Sequence, residues 1–157
     1  MTVLDIVINP DPILRQQTVP VTQFNDQLAT LIKNMYDTKK HANGIGLAAP
    51  QVGVLSALFV VGYDTHKKVY INPEIIWKSE EKSSYDEGCL SLPNITVEVK
   101  RPKSIKIKAQ DAQGKWFEES LDGMLATVFQ HEFDHLQGKL ILDHGEPKVV
   151  EVIPDTD

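Results

Sequence analysis

Gln130-His131-Glu132-Phe133-Asp134-His135 (QHEFDH) sets two histidines four positions apart, with a carboxylate beside the first. The segment around it predicts a helix, opened by Asp122 as N-cap after Leu121 and closed at Gly138. Each helical residue turns about 100°, so positions four apart differ by only ~40° and stand one turn above each other. His131 and His135 therefore project from one face and can share a metal ion. Glu132 is turned about 100° from His131 and flanks that ion. A carboxylate placed there can take a proton from water without being a ligand. A solvated helix face with incidental histidines would carry the same letters, so the helix alone does not decide the matter. A third ligand does.

The chain has a single cysteine, Cys89, in "DEGCLSLP" (86–93), between Gly88 and a strand-like segment. A solitary cysteine is ordinarily an inert buried residue. Joined to His131 and His135, it makes a Cys-His-His set with the fourth position open. Catalytic metals need three protein ligands and one open position, whereas structural sites are closed by four. His41, His66 and His144 lie in polar or loop-like contexts and read as solvated.

Composition fits an enzyme of this kind. A chain of 157 residues can bury one core without disulfides, and 41% hydrophobic with 24% charged residues is the balance of a soluble globular protein. The net charge of −6 argues against a nucleic-acid-coating surface. No apolar run reaches the length of a membrane span, and the start shows no secretory signal. A single cysteine suits a reducing compartment. These features together point to the cytoplasm.

Outward from QHEFDH, the first 21 residues hold Pro10, Pro12 and Pro20, which favour an extended, turning path. Thr22 is the expected N-cap of a helix whose Leu28, Leu31, Ile32, Met35 and Tyr36 recur at helical spacing, with Asn43-Gly44 as its stop. "GIGLAAPQVG" (44–53) reads as a glycine-rich loop. Residues 56–63 and 69–77 read as strands, the second broken by Pro73. Ile105 and Ile107 alternate with lysines in a half-buried strand, and "DAQG" (111–114) turns it into a hairpin with "KWFEES". The last residues, 143–157, contain two prolines and five acids and are expected to be loosely held. Strands before and between two helices give a single α+β domain.

"GIGLAAPQ" (44–51), "EGCLS" (87–91) and "QHEFDH" (130–135) together resemble the three signature motifs of the peptide deformylase family, in order and at family-like separations. The resemblance runs from "DPILR" (11–15) to "GKLILD" (138–143). It implies an α+β fold with mixed or antiparallel sheets around a central helix carrying the HExxH motif. The catalytic domain would span 1–143, followed by a short acidic tail over 144–157. The implied activity is metal-dependent removal of the formyl group from the N-terminal methionine of newly made proteins. Cys89, His131 and His135 would hold the metal, and Glu132 would be the proton carrier. The Gln51 side-chain amide and the Leu90 backbone N–H would bind the oxyanion. Ile45 and Gly88 would offer backbone hydrogen bonds to the substrate, with Gly44, Gly46 and Gly88 letting an extended peptide pass close. The methionine pocket would comprise Ile45, Tyr85, Met124, Thr127, Val128 and His131.

Three places depart from the family pattern. Thr96 stands where many members carry an arginine, which bears on the outer part of the substrate. Thr127 occupies a pocket position that is usually apolar. The acidic, proline-bearing tail replaces the basic helix with which several bacterial members dock on the ribosome, so ribosome contact is expected to be weak. Asp134 is expected to orient a histidine, to pair with Arg101 or to be an ordinary solvated aspartate. One thiolate and two imidazoles suit zinc, whereas the resemblance implies Fe(2+) in the cell, with Zn(2+), Ni(2+) or Co(2+) in purified material. Two rivals remain. A zinc endopeptidase of the HExxH kind would not need Cys89, and an inactive relative would act as a binding module.

Overall fold

A computed structural model describes residues 2–63 and 65–150. Two antiparallel sheets and two helices make up the fold. The five-stranded sheet has the order β1-β2-β3-β6-β7, from β1 (Gly46–Ala48), β2 (Leu58–Tyr63), β3 (His66–Lys78), β6 (Ser104–Gln110) and β7 (Trp116–Asp122). The three-stranded sheet has the order β4-β5-β8, from β4 (Lys82–Cys89), β5 (Leu92–Pro102) and β8 (Pro147–Val149). Every pairing between these strands is antiparallel.

Successive side chains of a strand point to opposite faces, and β2 uses both. Leu58 and Val60 pack with Leu28, Ile32 and Met35 of helix α1 (Asp26–His41). Phe59 and Val61 pack with Ala126, Phe129 and Leu136 of helix α2 (Met124–Leu136). A sheet covered on both faces explains why "LFVV" is a continuous apolar run. A third cluster joins Leu14, Leu140 and Ile141 to Leu92, Val97 and Val99 of β5.

Several boundaries differ from the sequence expectation, each for a local reason. Helix α1 is capped by Asn25, whose side chain accepts the Leu28 N–H at 3.0 Å, so Thr22 lies ahead of the helix. Its end is where expected, with Asn43 in the left-handed region at φ 58°. Asp122 does not cap α2. It closes β7, where its carboxylate accepts from the Ser104 hydroxyl at 2.6 Å, and Gly123 takes the N-cap position. Gly138, at φ 73°, stops α2 as expected, and a Cβ there would collide with the Arg15 carbonyl.

Pro73 does not break β3. The strand absorbs it in a register shift between Ile71 and Glu74, where Asn72 adopts φ 50°. The Asn72 side chain replaces the lost ladder by accepting from Val21 N–H at 2.8 Å and donating to Val21 C=O at 2.9 Å. The end of the chain also differs from the loose tail expected. Residues 147–149 pair with β5 as β8, with Ile95 opposite Val149. The rest of that expectation, residues 151–157, lies outside the described residues.

Candidate metal centre

Helix α2 buries one stripe against the five-stranded sheet and turns the next toward the three-stranded one, which places His131, Glu132 and His135 between the two layers. They are 8%, 3% and 2% exposed. Cys89 ends β4 at a register shift, where the chain turns back into β5. That turn brings the lone sulfur to α2. One ligand atom from each of Cys89, His131 and His135 lies within 4.8 Å of the others, and Cys89 Sγ is 3.4 Å from His135 Nε2.

The orientation of His131 is fixed from behind. Its Nδ1–H donates to Glu87 Oε1 at 2.9 Å, which leaves Nε2 as the ring's ligand atom. Glu87 is itself clamped. Arg101 Nε donates to its Oε2 at 2.7 Å and Arg101 Nη2 to its Oε1 at 2.9 Å. Arg101 Nη1 donates to Asp134 Oδ2 at 2.9 Å, and Asp134 Oδ2 also meets His144 Nε2 at 2.8 Å. Asp134 thus pairs with Arg101, one of the three readings open for it, and His144 is engaged rather than simply solvated. Glu87 and Arg101 were missed as positioning residues. Their signal was faint: an acid two residues before the cysteine and an arginine in the facing strand.

Burial and partners set the charges here. Burial works against ionised Glu87, but hydrogen bonds from His131 and Arg101 hold its carboxyl below the usual range. Burial would lower His131, yet Glu132, Cys89 and Glu87 raise it well above an ordinary histidine. Burial and the positive neighbours His131 and Arg101 keep His135 well below that value, as a neutral imidazole. Burial pushes Glu132 up to about 7, against the opposing pull of His131. Glu132 Oε1 is buried without a hydrogen-bond partner, which is costly for a carboxylate unless a cation or water stands beside it. Thiolate, two imidazoles and an unpartnered carboxylate fit one divalent metal.

The centre opens into a cavity of about 510 Å³ between two free sheet edges, β1 on one side and β4 on the other. Gly44, Ile45 and Gly46 line it from the first edge, and Tyr85, Gly88 and Leu90 from the second. Met124, Thr127 and Val128 line it from α2. Val128 also belongs to the core cluster, so that helix face serves both. Thr127 is 3% exposed and its hydroxyl is buried without a partner, a polar atom where an apolar wall was expected.

Gln51 is 1% exposed. Its Oε1 accepts from Ala48 N–H at 2.9 Å, while Nε2 donates to Ser91 Oγ at 3.1 Å and lies 3.6 Å from Cys89 Sγ. The amide is therefore held with its N–H groups on the cysteine side.

Two of these glycines also answer to the protein's own side chains. A Cβ on Gly46 would sit 2.5 Å from Glu132 Oε2, and one on Gly44 would sit 2.7 Å from Leu90 Cδ1. Their bareness accommodates the protein's own side chains. At Gly88 a Cβ would meet only Ile95 O, at 3.9 Å, so that edge is open to a passing chain. Gly46→Ala is expected to displace the Glu132 carboxylate by about an ångström and to lower kcat roughly 10²-fold. Turnover measured beside an unchanged metal content checks this.

A cysteine sulfur and two imidazoles around one point, with a buried carboxylate alongside, is the arrangement of a mononuclear metal hydrolase. The comparisons narrow that class. The family model for polypeptide deformylase matches residues 3–150. A peptide deformylase of Thermotoga sp. (strain RQ2) is 48% identical over 137 residues, covering 87% of this chain and 84% of the relative. One from Novosphingobium aromaticivorans is 44% identical over 168 residues, covering 92% and 89%. The crystal structure of the Thermotoga maritima peptide deformylase superposes with a TM-score of 0.91 at 45% identity, covering 94% of this chain and all of that one. The chain belongs to the peptide deformylase family.

Proposed function

We propose that this chain removes the formyl group from the N-terminal methionine of newly made proteins, using Cys89, His131 and His135 to hold one divalent metal. The observation that carries the reading is the meeting of the lone Cys89 sulfur with both α2 imidazoles beside Glu132. A bound divalent metal supplies Lewis acidity, polarising the formyl carbonyl and making water acidic enough to attack near neutral pH. Glu132 accepts the proton of the attacking water as oxygen adds to the formyl carbon. It then gives that proton to the amine nitrogen as the C–N bond breaks, releasing formate and a free N-terminus. Gln51 Nε2 and the Leu90 N–H donate to the carbonyl oxygen as negative charge builds on it. The substrate enters as an extended strand between the two free edges, hydrogen-bonding to Ile45 and Gly88. Its methionine side chain fills the pocket of Tyr85, Met124, Thr127 and Val128.

Fe(2+) is the metal in the cell by family likeness, with Zn(2+), Ni(2+) or Co(2+) taking its place in purified protein. The enzyme works in the cytoplasm on nascent chains. Residues 143–157 carry five acids and a single lysine, so any contact they make with the ribosome is weak and insensitive to salt. Among the described residues no helix is long and apolar enough to cross a membrane. Cys89→Ala separates this reading from an HExxH endopeptidase. The variant is expected to retain less than a tenth of the wild-type metal after dialysis, and full retention by elemental analysis would favour the endopeptidase.

A further inference from the structure

Lys39 is a buried cation that neither the core nor the metal centre explains. It lies in the last turn of α1 and is 9% exposed, and among the described residues no carboxylate pairs with it. Burial, and after it the charges of Lys67 and Lys40, hold its pKa below that of an ordinary lysine, so the placement is costly. Its Nζ lies over Gly62 of β2, where a Cβ would sit 2.6 Å from it, and donates to the Gly44 carbonyl at 3.4 Å. The Lys39 backbone carbonyl accepts the Gly44 N–H at 2.9 Å, so one residue holds both polar groups of Gly44. The Gly44 carbonyl and the Ile45 N–H share one trans peptide plane and point in opposite directions. The carbonyl end faces Lys39 and β2, so the N–H end faces away from the sheet, on the side of the cavity that Ile45 lines. The Ile45 carbonyl is tied to the Gly62 N–H at 2.8 Å, whereas the Ile45 N–H has no partner among the described residues.

We infer that Lys39 is a positioning residue for the substrate: by holding the Gly44 carbonyl it aims the Ile45 N–H at the peptide and strengthens it as a donor. This rests on the deformylase reading, which gives the Ile45 backbone to the substrate chain. A positive charge at the carbonyl end of an amide polarises it and makes the N–H at the other end a better donor. Lys39 does not itself line the cavity, so it acts only through that peptide unit. A contact of this kind is made in the bound substrate and the transition state alike, and its loss shows in KM.

The test measures KM and kcat for a formyl-Met-Ala-Ser peptide, at constant metal content, in Lys39→Met, Gly62→Ala and the double variant. Methionine fills the place of the lysine without its charge. The methyl group of Gly62→Ala leaves the lysine in the chain but pushes its ammonium off the Gly44 carbonyl. Each single variant is expected to raise KM about five- to tenfold, the worth of one hydrogen bond, with kcat within twofold of wild type. Because both act on one contact, the double variant is expected to match the larger single effect rather than their product. Loss of folded enzyme lowers kcat and leaves KM unchanged, so instability cannot imitate this result. A KM within twofold of wild type in either single variant, or single effects that multiply in the double one, overturns the inference. Absence of turnover by the metal-loaded wild type overturns the deformylase reading, and this inference with it.

Discussion

Glu132→Gln is expected to lower kcat on formyl-methionyl peptides by about 10²–10⁴-fold while leaving the metal in place. General acid–base catalysis is worth about that much, and glutamine has the shape of the carboxylate without its proton chemistry. The loss should fall on kcat, because Glu132 is not among the groups expected to grip the peptide. The pH profile gives a second readout. Glu132 acts as a base only when ionised, so activity falls as pH drops through its pKa. Burial pushes that carboxyl up to about 7. A divalent cation beside it favours the charged form and moves the acid limb below 7. In Glu132→Gln the residual activity should lack that limb. Steady-state kinetics from pH 5 to 9 with constant metal content distinguish the two profiles.

Arg101→Ala is expected to destabilise the protein by about 3–5 kcal/mol, the cost of leaving a buried ionic partner unpaired. Arg101 and Glu87 side chains are 5% and 6% exposed, and Asp134 is 16% exposed. Removing the guanidinium leaves buried Glu87 with His131 Nδ1 alone and Asp134 with His144 Nε2 alone. For a chain of this size the loss corresponds to a fall in Tm of roughly 6–20 °C. Arg101→Lys should recover only part of it, since an ammonium cannot reproduce the two-pronged contact with Glu87. Metal affinity should fall about 10- to 100-fold as well, because Glu87 orients His131. Differential scanning calorimetry together with competitive metal titration separates the two effects.

How much of this was legible in the sequence differs from element to element. His131, Glu132 and His135 could be placed relative to one another because helical geometry is fixed by spacing alone. Cys89 was legible only as the best remaining donor. That it reaches α2 depends on the β4–β5 turn, a contact between residues more than forty positions apart in the chain. The strand-like segment expected after Cys89 is β5, whose Val97 and Val99 face inward, but "KSSYDEG" of β4 has no apolar alternation, since one of its faces lines a cavity. The caps at Thr22 and Asp122 went astray for one shared reason. Cap-forming residue types are common near helix starts, and only the final hydrogen bonds, Asn25 to Leu28 N–H and Ser104 to Asp122, select among them. The β8 strand was hidden for a different reason. Its pairing with Ile95–Val97 is long-range, and proline and lysine in its three residues hide any strand signal.

Formate release from a formyl-methionyl peptide by anaerobically prepared, metal-loaded protein tests the assignment most directly. The expected result is one formate for each free amine produced, with release suppressed at least a hundredfold in Glu132→Gln. Metal-loaded wild type that binds its cation through Cys89, His131 and His135 yet liberates no formate would contradict it.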